Sequence, residues 1–153
     1  FVENALAKAR DAAEATGLAA VADDSGLTVD ALNGMPGVLS ARWSGRHGND
    51  VANLELLLSQ ISDVPDERRG AAFVCAASFV HPAGFERVLE AEMRGRIVRE
   101  PRGKGGFGYD PIFVADGHTL TTAEMSAEAK DTISHRGKAL RMLVPLIAEG
   151  HSA

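Results

Sequence analysis

Ala71-Ala72-Phe73-Val74-Cys75-Ala76-Ala77-Ser78-Phe79-Val80 is apolar at every position but one. A strand with one wet face alternates polar and apolar residues, so this run predicts a strand covered on both faces. Pro82, Ala83 and Gly84 then turn the chain, and 85–98 supplies one or two further strands, antiparallel to the first. Upstream, residues 1–16 are Ala-rich with Lys8 and Arg10 among Glu and Asp, and Gly17 stops them; the pattern predicts a helix. Leu18 to Ala22 is a short apolar run, read as a buried strand that delivers Asp23 and Asp24 at its end. A second helix fits 49–61, with Val51, Leu54, Leu58 and Ile61 on one face. Residues 63–70, with Pro65, read as a polar connection, 99–108 as a loop rich in Gly, Lys and Arg, and 112–114 as a strand stub. Ser134 is a natural N-cap for a last helix whose stripe is Leu140, Leu143, Val144 and Ile147, with Pro145 kinking or shortening it. Helices and strands interleave, and the expected fold class is α/β, a mixed sheet with flanking helices.

Bulk composition narrows the function. The chain has 153 residues, 45% hydrophobic and 24% charged, with a formal net charge of −5. One domain, 1–153, with an ordinary core is expected. The acidic balance argues against a broad nucleic-acid-binding face. No apolar run approaches the roughly 20 residues of a membrane helix. Cys75 is the single cysteine, which excludes an intrachain disulfide and fits a reducing compartment, so the expected location is cytoplasmic. Phe1 opens directly into a helical pattern without a capping residue, so the chain is expected to be incomplete at its N-terminus.

Three strings set polar side chains among glycines: Ala22-Asp23-Asp24-Ser25-Gly26-Leu27, Gly105-Gly106-Phe107-Gly108-Tyr109-Asp110-Pro111, and Ser134-His135-Arg136-Gly137. Adjacent residues on extended backbone point to opposite faces, so Asp23 and Asp24 are not expected to grip one ligand together. One of them could take a metal or a water while its neighbour holds the loop; the plainer reading is a capped turn. In the second string, Phe107 could stack on a base and Asp110 could accept hydrogen bonds from ring nitrogens, against a glycine-rich hairpin whose Phe and Tyr only pack. No Gly-Lys-Ser/Thr follows, so it is not a phosphate loop. In the third, amides at a helix start and the five-donor fork of Arg136 suit acceptor groups, against a capped helix with two wet residues. Lys130 lies four residues before Ser134, and Lys8 on the first helix is otherwise an ordinary solvated lysine. His47, His81, His118 and His151 lack metal-ligand spacing, and Cys75 reads as a small hydrophobe.

Phe1-Val2-Glu3-Asn4-Ala5 with Lys8-Ala9-Arg10, the Ala22–Leu27 string, Pro36-Gly37-Val38 with Ser40-Ala41-Arg42, Gly106-Phe107-Gly108-Tyr109-Asp110-Pro111 and Ser134-His135-Arg136-Gly137 resemble, in order, the motifs of the inosine triphosphate pyrophosphatases, or Ham1-like family. The resemblance covers essentially the whole chain. It implies hydrolysis of inosine, deoxyinosine and xanthosine triphosphates to the monophosphate and pyrophosphate, with Mg²⁺. It also implies a two-lobed fold with a central nucleotide cleft, a small-molecule purine nucleoside triphosphate as partner rather than a nucleic acid polymer or membrane, and a homodimer. By position, Asp24 resembles the catalytic proton acceptor and metal-associated carboxylate, and Ser25 the neighbouring substrate contact. Phe107, Gly108, Tyr109 and Asp110 match the base-holding segment. Lys130, His135 and Arg136 match further nucleotide contacts, and Lys8 a lysine facing the phosphates. The resemblance also implies an opening strand, a phosphate-cradling loop and a metal-sharing Glu, all of which are expected to lie ahead of Phe1. Maf-like nucleotide pyrophosphatases, or a non-catalytic nucleotide-binding module, are the alternative readings.

Overall fold

The computed structural model describes residues 1–152, without the side chains of His135 and 148–152. Four α-helices are described: α1 (Val2–Thr16), α2 (Asp50–Gln60), α3 (Ala127–Ile133) and α4 (His135–Ser152). Four strands, β1 (Ala20–Val29), β2 (Gly70–Val80), β3 (Glu86–Ile97) and β4 (Phe113–Ala115), form one sheet in that order. The α/β class is as expected, but the sheet is antiparallel rather than mixed. Its connections explain part of this: β2 and β3 are joined by a short turn closed by the His81 N–H on the Phe85 carbonyl, and a parallel pair would need a long crossover. β3 and β4 pair in the register Gly95 with Ala115, Arg96 with Val114 and Ile97 with Phe113. β2 is buried along nearly its whole length, as its unbroken apolar run required.

Contacts divide the chain into two compact units. The first comprises 1–25, 74–92 and 134–153. Within it, α1 presents Ala5, Ala9 and Ala13, all buried, at a spacing of four. That stripe of small side chains puts no bulk between the helix and the sheet, and Ala9 and Ala13 cluster with Val80, Leu6, Ala20 and Ala22. The buried Ser78 hydroxyl donates to the Ala5 carbonyl at 2.8 Å. On the outside, Arg10 forks onto Glu86 at 2.7 and 2.8 Å. Gly17 ends α1 in a left-handed conformation (φ 69°), its N–H on the Ala13 carbonyl; glycine adopts this at no steric cost. A second cluster joins Cys75, Ala77 and Phe79 to Ala139 and Leu143 of α4.

The second unit comprises 26–73 and 93–133. Leu27, Val29, Leu54, Leu57, Ile61, Phe73, Ile97, Ile112 and Phe113 form its core. Four expectations need correction. β1 does not stop at Ala22 but runs on through Asp23 and Asp24 to Val29. The buried face of α2 is Asn53, Leu54 and Leu57, continued by Ile61, while Val51 is exposed. The rotation follows from Asn53, whose amide donates to the Ala41 carbonyl and accepts the Ser44 N–H. Residues 127–133, given no element by their sequence pattern, form α3. Finally, α4 continues through Pro145, and Val144 of its expected stripe is exposed. Among the described residues, no helix is long and apolar enough to cross a membrane.

Candidate functional site

In the first unit, the close approach of α1 to β1 sets the acidic string. Lys8 donates to the Asp23 carbonyl at 3.0 Å and faces the Asp24 carboxylate at 3.4 Å. Asn4, one turn earlier on the same helix face, donates to the other Asp24 oxygen at 3.3 Å. Asp24 is thus held from one side by an amide and an ammonium, with its side chain 17% exposed. Asp23 takes a different partner, Arg136 of α4, with Nε 2.5 Å from its carboxylate. The two neighbours do diverge, as an extended backbone requires. Ser134 caps α4 by accepting the Gly137 N–H at 3.0 Å. The His135 side chain lies outside the described residues. Ser25 is exposed. Cys75 is fully buried; burial pushes its thiol up, the charges of Asp23 and Asp24 add to this, and Ser25 and Arg136 act against it.

In the second unit, the glycine-rich string folds around one carboxylate. Asp110, 3% exposed, accepts the Phe107 N–H at 3.0 Å, the Thr122 hydroxyl at 2.7 Å and the Lys130 ammonium at 2.5 Å. Gly106 has φ 70°, and a methyl group there would collide with that carboxylate. Lys130, carried by α3, also lies 4.9 Å from the Phe107 ring centroid, a cation–π distance. Phe107 itself is 73% exposed. Tyr109 does the opposite: its ring is buried and its hydroxyl donates to the Ser40 carbonyl at 2.7 Å. Gly108 donates its N–H to the Asp50 carboxylate at 2.9 Å. Phe107, Asp110 and Lys130 therefore form one group, and Lys8, Asp24 and Arg136, with Asp23, another.

Four residues that hold these groups, Asn4, Ser40, Asp50 and Thr122, were given no role by sequence reasoning. Asn4 and Lys8 share a helix face at a spacing of four, a signal that could have paired them. Thr122, which donates to Asp110, was given no role, whereas Asp23 was read on equal terms with Asp24, one of the two to take a metal or a water and the other to hold the loop. Ser40 and Asp50 lie 69 and 58 residues from their partners, and no local pattern links them.

Among the described residues, no group of three or more His, Cys, Asp or Glu could cage a metal. Asp24 nonetheless offers hard carboxylate oxygens beside a backbone carbonyl. One or two carboxylates are the usual protein share for Mg²⁺, which takes its remaining ligands from water and substrate phosphates. The Asp24 carboxylate is a donor of the type Mg²⁺ accepts, with the Lys8 ammonium against the neighbouring carbonyl and one of its oxygens.

The chain matches the sequence model of the Ham1 family over residues 1–146. It is similar to a dITP/XTP pyrophosphatase of Nocardia farcinica, 66% identical over 148 residues, covering 97% of this chain and 72% of that protein. Among solved structures, a nucleoside-triphosphatase / dITP/XTP pyrophosphatase from Mycobacterium abscessus is similar with a TM-score of 0.83 and 62% identity, covering 96% of this chain and 75% of that one. The Ham1 protein of Staphylococcus aureus is similar with a TM-score of 0.91 and 41% identity, over 98% and 77% of the two chains. With the motifs, the fold and a match over residues 1–146 in agreement, this chain belongs to the Ham1 family.

Proposed function

We propose that this protein is a dITP/XTP pyrophosphatase, hydrolysing non-standard purine nucleoside triphosphates to the monophosphate and pyrophosphate. Its similarity to the Nocardia farcinica dITP/XTP pyrophosphatase, at 66% identity over 97% of the chain, carries this reading. Membership of the Ham1 family favours it over the Maf-like alternative.

Asp24 would accept the proton of the attacking water, a role worth roughly 10²–10⁴-fold in rate. Asn4 and Lys8 hold its two oxygens and so fix where that proton is received. Asp24 would also hold Mg²⁺, which when bound offsets phosphate charge and makes pyrophosphate a better leaving group. Lys8 supplies positive charge to the phosphates beside that carboxylate. Ser25 would contact the substrate next to Asp24. Phe107 offers an exposed ring for a purine to stack on, with Gly108 and Tyr109 as its backbone frame. Lys130 is held beside that ring by Asp110. Arg136 and His135 would donate to the 6-oxo group of hypoxanthine or xanthine. Adenine places a 6-amino donor there instead, and two facing donors cost on the order of 1–3 kcal/mol. The homodimer implied by the resemblance is proposed with it.

The test is a pyrophosphate-release assay with Mg²⁺ across dITP, XTP, ATP and GTP. Preferential turnover of dITP and XTP is expected. Equal turnover of ATP, or nucleotide binding without release of pyrophosphate, would overturn the reading.

A further inference from the structure

We infer that Asp50, the first residue of α2, is a positioning residue for the purine-stacking loop; this rests on the proposal that Phe107 receives the base. The Asp50 carboxylate accepts the N–H of Gly108 at 2.9 Å, across 58 residues of chain. It is not needed as a cap for its own helix, because the Asn49 side chain already accepts the Ala52 N–H at 3.2 Å. A carboxylate in the first helical turn is stabilised there by the helix dipole. Asp50 is therefore a charged acceptor held on a rigid element and used on a distant loop. Its target is a backbone point where direction matters: Gly108 has φ 58°, a conformation in which the peptide on its N-terminal side, shared with Phe107, is aimed by that one residue.

The neighbouring contact gives the same direction. Tyr109 is tied by its hydroxyl to the Ser40 carbonyl at 2.7 Å, and Ser40 is fixed by accepting the Leu27 N–H at 2.9 Å and donating to the Gly37 carbonyl at 2.7 Å. Gly108 and Tyr109 are thus pinned at two points of the single segment 40–50, while Phe107 between Gly106 and Gly108 stands 73% exposed. Asp110 ties the Phe107 backbone from within the loop, accepting its N–H at 3.0 Å and donating to its carbonyl at 3.1 Å; the Asp50 bond adds, one residue on, an anchor from a separate helix. Asp50 does not touch substrate in this account. It sets the orientation of the ring that does.

The experiment compares Asp50→Ala, Asp50→Asn and Phe107→Ala in the whole protein, reading kcat and KM for dITP and, separately, the Kd for deoxyinosine monophosphate by calorimetry. Loss of a charge-assisted bond transmitted through one loop should raise KM and Kd about five- to tenfold for Asp50→Ala, with kcat changed less than about twofold. Asp50→Asn keeps an oxygen acceptor for the Gly108 N–H and should restore most of the affinity. If Phe107→Ala weakens binding while Asp50→Ala leaves KM and Kd unchanged, the positioning role is overturned and the base-binding role of the loop stands. If Phe107→Ala leaves both constants unchanged, the loop reading fails and this inference with it. Should Asp50→Ala fold too poorly to assay, Asp50→Glu displaces the oxygens by one methylene and must raise KM; an unchanged KM there also overturns the role.

Discussion

Arg136 holds Asp23 through its Nε, 2.5 Å from the carboxylate, while the next residue along the strand, Asp24, faces Lys8 and Asn4. A single step along β1 therefore separates a carboxylate paired with a guanidinium from the one proposed above as the proton acceptor. The Arg136–Asp23 pair is largely solvated, with the Arg136 side chain 60% exposed. Such pairs contribute about 0–1 kcal/mol to stability, so its use is better sought in binding than in folding.

Arg136→Ala tests this. The variant should raise KM for dITP by about tenfold, since a charged donor to the 6-oxo group of the base would be lost, and its Tm should stay close to that of the parent. The Mg²⁺ concentration needed for half-maximal rate should not move. A normal KM would remove Arg136 from base recognition.

Asp24→Asn preserves shape and keeps one oxygen able to accept from Asn4 or Lys8, but it cannot take a proton from water. Pyrophosphate release should fall by about 10²–10⁴-fold in kcat, with the circular dichroism spectrum and Tm little changed. Turnover within a few-fold of the parent would take the proton-acceptor role away from Asp24.

Much of the architecture was legible where a segment's own periodicity decides it. The unbroken run of β2 needed burial on both faces, and the Ala-rich α1 with Gly17 behind it could hardly be anything but a capped helix. Residues governed by distant partners were not legible. β1 runs past its apolar start alongside β2, and its Asp23 and Asp24 find Arg136, Lys8 and Asn4, none of them near in sequence. α2 turns Leu57 rather than Val51 inward because Asn53 ties down the backbone of 41–44. The candidate site divides in the same way. Its polar strings were visible as strings, whereas the assignment of Asp110 as the hub of Phe107, Thr122 and Lys130 needed coordinates.

Cys75 gives a pH-dependent expectation. Burial and the nearby acidic charges push its thiol above the ordinary value, so the folded state resists ionisation that the unfolded state allows. The stability associated with the protonated thiol is complete below the unfolded thiol's pKa, about 8.5. It is lost as pH rises from there toward the raised native value. A Cys75→Ala variant should therefore lose less stability than the parent between about pH 8 and 10. In parallel, the native thiol should react slowly with a disulfide reagent at about pH 8 and quickly after unfolding in urea. Rapid labelling of the native protein would contradict its burial.

Arg69 is 2% exposed, and the contact that satisfies it is backbone. Its guanidinium donates to the carbonyls of Ile97 at 2.9 Å, Ile61 at 2.7 Å and Val98 at 3.3 Å. Ile61 lies just beyond α2, and Ile97 and Val98 are consecutive at the end of β3, so one planar fork joins two segments of the second unit to the one that carries Arg69, ahead of β2. Burial lowers its pKa, and the charge of Arg99 adds to that, yet an arginine starts so high that it remains charged. Arg69→Ala would leave three carbonyls without this donor and open a cavity among them. A loss of about 3–5 kcal/mol is expected, the range for breaking a buried charged network. Arg69→Lys keeps the charge but has no fork with which to reach three diverging carbonyls at once, and should recover only part of the loss. Urea unfolding separates these outcomes: both variants should shift the midpoint downward at an unchanged slope. A midpoint for Arg69→Lys equal to that of the parent would mean that the charge alone, rather than the shared geometry of the fork, holds the three segments together.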